Sequence, residues 1–279
     1  MTKQTSVSIA FIGGGNMATA LIAGLLAKGH APADLHVVDT DTAKLSHFAD
    51  QGLATYVATE AGNTEQAIAN ADVVLLAVKP QVLKDVLLPI KDSWGEQLVI
   101  SIVAGIGTDS LKSWLGNNVK LVRAMPNTPA MIQMGATGLF ASQGVGEHEC
   151  ELAEQVMKAT GLVLWVDDED LLHAVTAVSG SAPAYFFYML ENMIATGESM
   201  GLTNTQATAL AMQTALGSAQ MALTSHDSPA ELRRKVTSPN GTTQSAIAVM
   251  DAQAMNQTIA QAMQACVERS RQLSRELAK

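Results

Sequence analysis

The stretch "VSIAFIGGGNMATA", residues 7–20, passes from a β-branched apolar run through three glycines into helix-forming residues. Within it, Gly13, Gly15 and Ala18 make the spacing G-x-G-x-x-A. The first glycine permits a tight turn, the second lets the backbone approach a pyrophosphate, and the alanine permits close packing of a helix on a sheet. Asp39 ends the next apolar run, 21 residues after Ala18, where an acidic side chain holds a ribose 2′-hydroxyl. A glycine turn alone needs no ligand, but this context predicts a dinucleotide-binding strand, turn and helix.

The pattern around that stretch predicts the fold class. Up to about residue 166, short apolar runs rich in β-branched residues alternate with helical segments. The runs cover residues 7–13, 35–39, 72–78, 97–103, 119–125 and 162–166. Nearly continuous apolarity is typical of strands that helices cover on both faces, and the alternation indicates a mostly parallel sheet. We therefore expect an α/β Rossmann-type domain over residues 1–166.

The remaining residues, 167–279, predict an all-α domain. They lack β-branched runs, and Thr203 with Gln206 and Ser228 with Glu231 have the spacing of capping boxes at helix starts. Their tracts of Ala and Met offer more uncharged helix surface than a small domain can bury. An ordinary monomer core also uses such tracts, but the scarcity of charge favours a dimerisation domain whose helices pack between subunits.

Composition argues against several classes of function. The chain has 279 residues and a formal net charge of -9, whereas nucleic acids and anionic membranes bind basic surfaces. No apolar run approaches the roughly 18 residues of a membrane helix, and glycines interrupt the N-terminal run before it reaches the length of a secretory core. The two cysteines, Cys150 and Cys266, lie far apart in the sequence without metal-ligand partners nearby. We expect a cytoplasmic protein with no metal site, no nucleic-acid partner and no membrane attachment.

Three further segments fall at the expected carboxyl ends of later strands, where doubly wound sheets bind ligands. They are "AVKP" at 77–80, "VAGIG" at 103–107 and "RAMPNTPA" at 123–130. Lys79 has the charge to meet a phosphate or the hydroxyls of a ribose, but a solvated strand end has the same composition. Asn127 and Thr128 suit either contact with a nicotinamide or the capping of a turn. Because three strand ends share these features, we favour cofactor contact, with Ala104 and Gly105 contributing from the middle segment.

A hydroxyl-rich turn interrupts the helical half of the chain. The segment "VTSPNGTTQSAI", residues 236–247, carries five hydroxyl side chains around a Pro-Asn-Gly turn. They are Thr237, Ser238, Thr242, Thr243 and Ser245. Helix capping explains one or two of them. No Lys or Arg occurs between Lys158 and Arg233, so hydroxyls and the free N–H groups of a helix start remain to hold an anion. We predict a carboxylate site at this turn.

Several motifs together resemble one enzyme family. They are "FIGGGNMATALIAGLL" (11–26), "AVKP", "RAMPNTPA", "VSGSAPAYFF" (178–187) and "VTSPNGTTQSAI", which occur in the order found in pyrroline-5-carboxylate reductases. The resemblance implies that the chain reduces 1-pyrroline-5-carboxylate to L-proline with NAD(P)H, the last step of proline biosynthesis. It also implies a Rossmann domain and a helical domain that interlocks with its twin in a homodimer. In many members of the family, dimers assemble further, often into decamers.

The resemblance also implies which residues form the cofactor site. Ile12, Gly13, Gly14, Gly15, Asn16 and Met17 match the segment that cradles the pyrophosphate, and Ala77, Val78, Lys79 and Pro80 match the border of the ribose and the nicotinamide. Asn63 is similar to a ribose-contacting Asn of some members. Members often have a small hydroxylated residue at the place of Asp39, where it accepts the 2′-phosphate of NADP. Because Asp39 and Asp41 would repel a phosphate, we expect NADH to compete with NADPH better than the family habit suggests.

For the substrate, Ser238, Gly241, Thr242 and Thr243 match the family's site for the carboxylate and the imine. Asn240 stands where many members have a second glycine, and we expect the turn to survive because Asn tolerates a left-handed backbone. Thr243 is the catalytic candidate, since a hydrogen bond between its hydroxyl and the ring nitrogen would favour the protonated, more electrophilic imine. Water is the alternative proton source. His173 and Glu191 have acidic protons too, but we interpret each as a helix residue with a local partner.

Two other functions use parts of the same pattern. A related imine or 2-hydroxy-acid dehydrogenase shares the plan of a Rossmann domain followed by helices. The 6-phosphogluconate type of hydroxyacid dehydrogenase needs a catalytic Lys at the start of its second domain, and residues 159–234 contain none. A non-catalytic dinucleotide sensor has no use for a second, hydroxyl-lined site. NAD(P)H oxidation with pyrroline-5-carboxylate supplied separates all three.

Overall fold

All six apolar runs form strands of one sheet in the computed structural model, which describes residues 7–116 and 118–278. The strands are β1 (Ile9–Ile12), β2 (Leu35–Asp39), β3 (Ala54–Val57), β4 (Val73–Leu76), β5 (Leu98–Ser101), β6 (Lys120–Met125), β7 (Gly135–Ala141) and β8 (Gly161–Trp165). Their order across the eight-stranded sheet is β3-β2-β1-β4-β5-β6-β7-β8. Neighbours are parallel except β6 and β7, so the predicted mostly parallel Rossmann-type sheet is confirmed.

Helices alternate with these strands and cover both faces of the sheet. They are α1 (Asn16–Ala27), α2 (Thr42–Ala49), α3 (Asn63–Ala69), α4 (Pro80–Leu87), α5 (Thr108–Leu115), α6 (Glu147–Met157) and α7 (Leu171–Val175). Along β1, Ile9 and Phe11 pack in one buried core with α1 and α6, whereas Ala10 and Ile12 pack in a second core with α3, α4 and α5. Both side-chain rows of a central strand are therefore buried, which explains why the runs are apolar throughout.

Two strands, β3 and β7, were not predicted from the sequence. All four residues of β3 are only half-buried, because it is an edge strand. β7 reads GATGLFA, and its glycines permit close backbone approach. Gly135 pairs with Gly161 of β8, where a Cβ added to Gly161 would lie 2.1 Å from the Gly135 carbonyl oxygen. Neither strand has a continuous run of buried apolar side chains that the sequence pattern would reveal.

The chain divides into two compact units. Unit 1 comprises Met1–Ser181 and Cys266–Lys279, and unit 2 comprises Ala182–Ala265. Unit 2 contains α8 (Ala182–Ser199), α9 (Asn204–Thr224), α10 (Pro229–Lys235), α11 (Thr242–Ala252) and the first part of α12 (Met255–Leu277). The predicted capping boxes form at the starts of α9 and α10. The domain boundary between residues 166 and 167 stays a prediction.

The last part of α12 belongs to unit 1 and packs against its turns. A Cβ added to Gly105, in the turn after β5, would lie 3.1 Å from Leu277 Cδ1 and 3.5 Å from Leu273 Cβ. Ser270 Oγ lies 2.8 Å from His173 Nδ1 on α7, and the partner near His173 in sequence is Asp170, whose Oδ1 lies 3.8 Å from His173 Nε2. Within residues 7–116 and 118–278, no helix combines the length and apolarity of a membrane span, and no cluster of three or more His, Cys, Asp or Glu could hold a metal ion.

A buried histidine on β2 predicts how stability depends on pH. His36 has its Nε2 3.1 Å from Ser8 Oγ and its Nδ1 3.2 Å from Tyr56 Oη. Burial holds the pKa of His36 below its ordinary value of 6.5, although the Asp34 carboxylate acts in the opposite direction. Because the folded-state pKa is the lower one, the stabilisation is full above pH 6.5 and is lost as the pH falls below that value.

We therefore expect the free energy of unfolding, measured with urea, to fall between about pH 7 and about pH 5.5, and to fall less in His36→Gln than in the wild type. Burial also lowers the pKa of His173, so part of the pH dependence should remain in the variant. The exposed His148 provides the matched control, since His148→Gln should keep the wild-type dependence. Equal pH dependence in wild type and His36→Gln would contradict this account.

Candidate active site

The turn between β1 and α1 has the geometry that the glycine motif predicts. Gly13 has a φ of 106°, in the left-handed region, and a Cβ there would lie 2.9 Å from the carbonyl oxygen of Ala77. Its N–H donates to the carbonyl oxygen of Val38 at 2.8 Å. Ala18 is fully buried in the core between α1 and the sheet. Only glycine fits at the first position of this turn.

The start of α1 is open to an anion. Gly15, its N-cap residue, supplies no side-chain cap, and the first helical turn contains no acidic residue. A Cβ added to Gly15 would have one heavy atom within 4 Å, the carbonyl oxygen of Ala77 at 3.9 Å. The N–H groups of Asn16 and Met17 and the positive end of the helix are therefore available to a pyrophosphate.

A second helix, α4, begins beside this turn. β1 and β4 are neighbours at the point where the strand order reverses, and doubly wound sheets bind dinucleotides at such a switch point. The N–H of Ala77, just after β4, donates to the carbonyl oxygen of Ile12 at 2.9 Å. Lys79 is the exposed N-cap residue of α4, and Pro80 is the first residue of that helix. The structure thus brings the predicted segments 12–17 and 77–80 to one edge of the sheet.

Asp39 lies at the carboxyl end of β2, and its carboxylate contacts the glycine turn. Oδ2 accepts the N–H of Gly14 at 2.7 Å, and Oδ1 accepts the N–H of Asp41 at 2.9 Å. The side chain is 12% exposed, and Lys44 Nζ is 3.9 Å from Oδ2. The carboxylate is therefore fixed beside the pyrophosphate turn, in the position from which acidic residues bind ribose hydroxyls.

Some of the other predicted cofactor residues hold the backbone of unit 1 together. Asn63 Nδ2 donates to the Val57 carbonyl oxygen at 3.1 Å and to Glu60 Oε2 at 3.0 Å, which closes the loop between β3 and α3. Gly105, with a φ of 79°, packs against α12 as described above, and Ala104 beside it is exposed. Contacts of these residues with a cofactor stay predictions.

Asn127 is buried, and both ends of its amide are engaged. Oδ1 accepts the N–H of Ala136 at 2.8 Å, and Nδ2 donates to the carbonyl oxygen of Ser179 at 3.1 Å. The side chain therefore links the end of β6 to the start of β7 and to the π-helical turn Thr176–Gly180. This geometry favours the turn-capping interpretation of Asn127 over contact with a nicotinamide. Thr128 beside it is exposed.

An ion pair that was not predicted connects β6 with α5. Arg123 is buried, and its Nη1 donates to Glu169 Oε1 at 2.7 Å. Glu169 also accepts the N–H of Thr108 at 2.7 Å and its hydroxyl at 2.6 Å, so it caps α5. Burial alone would raise the pKa of the Glu169 carboxyl, but the bonds from Thr108 and Arg123 hold that pKa below its ordinary value. The signal in the sequence is an Arg inside an apolar run, which needs a buried partner.

In unit 2, the hydroxyl turn precedes α11. Thr237 Oγ1 donates to a carbonyl oxygen four residues earlier at 2.6 Å, and Ser245 Oγ does the same at 3.4 Å. These two hydroxyls therefore bond to their own helices. The other three have no hydrogen-bond partner among residues 7–116 and 118–278, and they belong to Ser238, Thr242 and Thr243. Three of the five hydroxyls thus remain available to a ligand.

The backbone at the start of α11 is equally open. Asn240 has a φ of 57°, so the expectation that Asn sustains the left-handed turn is confirmed. Gly241 is the N-cap residue, supplies no side-chain cap, and donates its N–H to the Ser238 carbonyl oxygen at 3.0 Å. α9 and α10, in contrast, begin with Thr and Ser caps. The first N–H groups of α11 are left for an anionic ligand.

Known proteins are similar to this chain over nearly its whole length. A family model described as pyrroline-5-carboxylate reductase dimerisation matches residues 169–273, and one described as NADP oxidoreductase, coenzyme F420-dependent, matches residues 8–105. The pyrroline-5-carboxylate reductase of Pseudomonas aeruginosa is 47% identical, over 96% of this chain and 97% of that protein. The protein of the same name from Haemophilus influenzae is 45% identical, over 95% and 97%. A solved pyrroline-5-carboxylate reductase from Coxiella burnetii has a TM-score of 0.90 at 42% identity, covering 97% of this chain and 99% of that one. The chain belongs to the pyrroline-5-carboxylate reductase family.

Proposed function

We propose that the chain reduces 1-pyrroline-5-carboxylate to L-proline, with the turn 238–243 as the binding site for the substrate. The observation that supports this site is the open start of α11, where uncapped N–H groups accompany three unengaged hydroxyls. A carboxylate is the part of the substrate that such a site suits, because the helix start combines N–H donors with a positive dipole end. Arg233 and Arg234, exposed in the last turn of α10, add long-range attraction for an anion, whereas Lys235 beside them is paired with Asp227.

Different residues of the turn position the substrate and activate its C=N bond. When bound, the nicotinamide dinucleotide supplies a hydride to the carbon of the C=N bond. Ser238 and the N–H groups of Thr242 and Thr243 hold the carboxylate, which limits the orientations of the ring. The ring nitrogen takes up a proton from water, and the Thr243 hydroxyl oxygen accepts a hydrogen bond from the resulting N–H. This nitrogen receives the electron pair of the C=N bond when the hydride adds to the carbon. The two hydroxyls thus serve different ends of the substrate.

The function is tested by supplying the purified protein with pyrroline-5-carboxylate and NADH or NADPH. We expect the ultraviolet absorbance of the reduced cofactor to fall and proline to appear in amino-acid analysis. A 2-hydroxy-acid dehydrogenase would instead reduce NAD(P)+ when given a 2-hydroxy acid. A dinucleotide sensor would bind the cofactor without consuming it. Cofactor binding without proline formation would contradict the proposal.

The cofactor is a nicotinamide dinucleotide, and we propose that NADH competes with NADPH better than the family habit suggests. The support is the Asp39 carboxylate, which is held beside the pyrophosphate turn by the N–H groups of Gly14 and Asp41. A 2′-phosphate placed there meets a like charge, whereas a 2′-hydroxyl finds a hydrogen-bond acceptor.

We further propose that the active form is a homodimer built through unit 2. The buried apolar residues of unit 2, among those that the structure describes, are Ala182, Ala207 and Ala211. Large apolar side chains of unit 2 are exposed to solvent in the single chain: Phe186 is 67% exposed and Met200 is 79% exposed. Large apolar side chains exposed in this way are typical of a surface that binds another protein chain. The family model for dimerisation covers this part of the chain.

Light scattering at micromolar concentration should therefore show a particle of at least twice the 29.3 kDa of one chain. Dilution should not release a stable monomer, because unit 2 has no core of large side chains to stand alone. A stable and active monomer would contradict the proposal. Assembly into a decamer and a cytoplasmic location stay predictions.

A further inference from the structure

Gln244, the third residue of α11, reaches back over the start of its own helix. Its Oε1 accepts the N–H of Asn240 at 2.5 Å. Asn240 is the residue of the turn with a left-handed backbone, at a φ of 57°, a conformation that costs free energy in any residue except glycine. The hydrogen bond that Gln244 Oε1 accepts therefore stabilises the least favourable backbone conformation in the turn.

The arrangement differs from the other helix starts of unit 2. In α9 and α10, Gln206 and Glu231 occupy the same position and bond to the N–H and the hydroxyl of the N-cap residue. Gln244 instead bonds one residue earlier, to Asn240. The N–H of Gly241 is taken by the Ser238 carbonyl oxygen. Both bonds close the turn without using the hydroxyls of the proposed substrate site.

We propose that Gln244 is a positioning residue for the substrate carboxylate. Its amide oxygen fixes the turn from which the hydroxyls project, and its lack of charge keeps a negative group away from an anion site. The proposal rests on the proposed function of the turn. A Glu at position 244 would accept the same hydrogen bond and would favour the helix start, but it would repel the substrate. Binding and stability should therefore respond in opposite directions to that change.

The experiment compares Gln244→Met with Gln244→Glu in the full-length protein. Gln244→Met loses the bond to Asn240 and should raise the KM for pyrroline-5-carboxylate by about 2- to 12-fold, the equivalent of one ordinary hydrogen bond. Gln244→Glu keeps the bond and should raise that KM by about 3- to 30-fold, in a manner that added salt reduces. The melting temperature of Gln244→Glu should equal or exceed that of the wild type. The KM for the reduced cofactor should stay unchanged in both variants.

Gln253 provides matched controls, because it is an exposed Gln at the other end of α11. Gln253→Met and Gln253→Glu make the same chemical changes and should leave the KM for pyrroline-5-carboxylate unchanged. If both Gln244 variants keep the wild-type KM, or if only their melting temperatures change, Gln244 serves the helix and the proposal is wrong. Absence of proline formation by the wild type would be a different result, since it overturns the proposed function itself.

Discussion

Thr243→Val should lower kcat/KM for pyrroline-5-carboxylate by about 5- to 150-fold, because removing a hydrogen bond to the reacting ring costs about 1–3 kcal/mol in the transition state. Valine preserves the shape of the side chain. The Thr243 hydroxyl has no partner among the residues that the structure describes, so the substitution breaks no bond of the fold. The melting temperature and the affinity for the cofactor should therefore hardly change. Steady-state kinetics and thermal unfolding on the same preparation measure both.

The hydroxyls of Ser245 and Ser238 provide a control and a comparison for this test. Ser245 Oγ donates to the carbonyl oxygen of Gly241, so Ser245→Ala removes a hydroxyl from the same turn without touching the proposed site and should change the kinetics little. Ser238→Ala should raise KM more than it lowers kcat, since its hydroxyl is assigned to the carboxylate. If Thr243→Val keeps full activity and melts several degrees lower, the hydroxyls serve folding and their assignment to the substrate is wrong.

Asp39→Ser should shift the preference between cofactors towards NADPH. The ratio of kcat/KM for NADPH over NADH should rise roughly 10- to 100-fold, since a unit charge about 4 Å away contributes about 1 kcal/mol in water and about 4 kcal/mol at an effective dielectric constant of about 20. Serine removes the carboxylate that would face the 2′-phosphate and leaves a hydroxyl able to donate to it. Lys44 Nζ lies 3.9 Å from Asp39 Oδ2 and 3.7 Å from Asp41 Oδ2, so Lys44 would lose one of two carboxylate partners and gain the phosphate.

Asp41→Ser is the control for the net charge of the region. Asp41 caps α2 through the N–H groups of Ala43 and Lys44, and Ser is an equally good N-cap residue. The same charge is thus removed without altering the residue that contacts the glycine turn, and the ratio should rise less than in Asp39→Ser because the Asp39 carboxylate still faces the 2′-phosphate. If Asp39→Ser leaves the ratio of kcat/KM for NADPH over NADH unaltered, Asp39 does not distinguish a 2′-hydroxyl from a 2′-phosphate on the ribose.

The sequence predicted those parts of the fold that depend on buried side chains or on cap chemistry. Five strands were found because both of their faces are buried, and the edge strand β8 was found because its run is apolar although Leu162 and Leu164 are exposed. Two capping boxes were found because the spacing of Thr203 and Gln206 or of Ser228 and Glu231 has a local cause. β7 was missed for the opposite reason. β7 approaches β8 closely because Gly135 and Gly161 have no Cβ atoms, and a glycine contributes nothing to an apolar sequence pattern.

The candidate site was predictable to a similar degree. The glycine turn and Asp39 come together because both lie at the carboxyl ends of adjacent parallel strands, a consequence of topology. The sequence did not predict which hydroxyls of the turn 236–247 lack a hydrogen-bond partner. That depends on which hydroxyls donate to carbonyl oxygens of the neighbouring helices. The engagement of Asn127 depends on Ser179, which is distant in sequence, so no local pattern contained it.

The return of α12 to unit 1 has a consequence for how the protein is made. The ribosome synthesises the residues after Ala265 later than residues 7–181, yet Leu273 and Leu277 pack on the Gly105 turn and Ser270 contacts His173. A nascent chain that has emerged only as far as Ser181 therefore lacks part of the packing of its nucleotide-binding half. That half reaches its final form only after unit 2 and the last part of α12 have been synthesised, and proteolytic loss of the last turns of α12 would loosen a part of the protein that was made earlier.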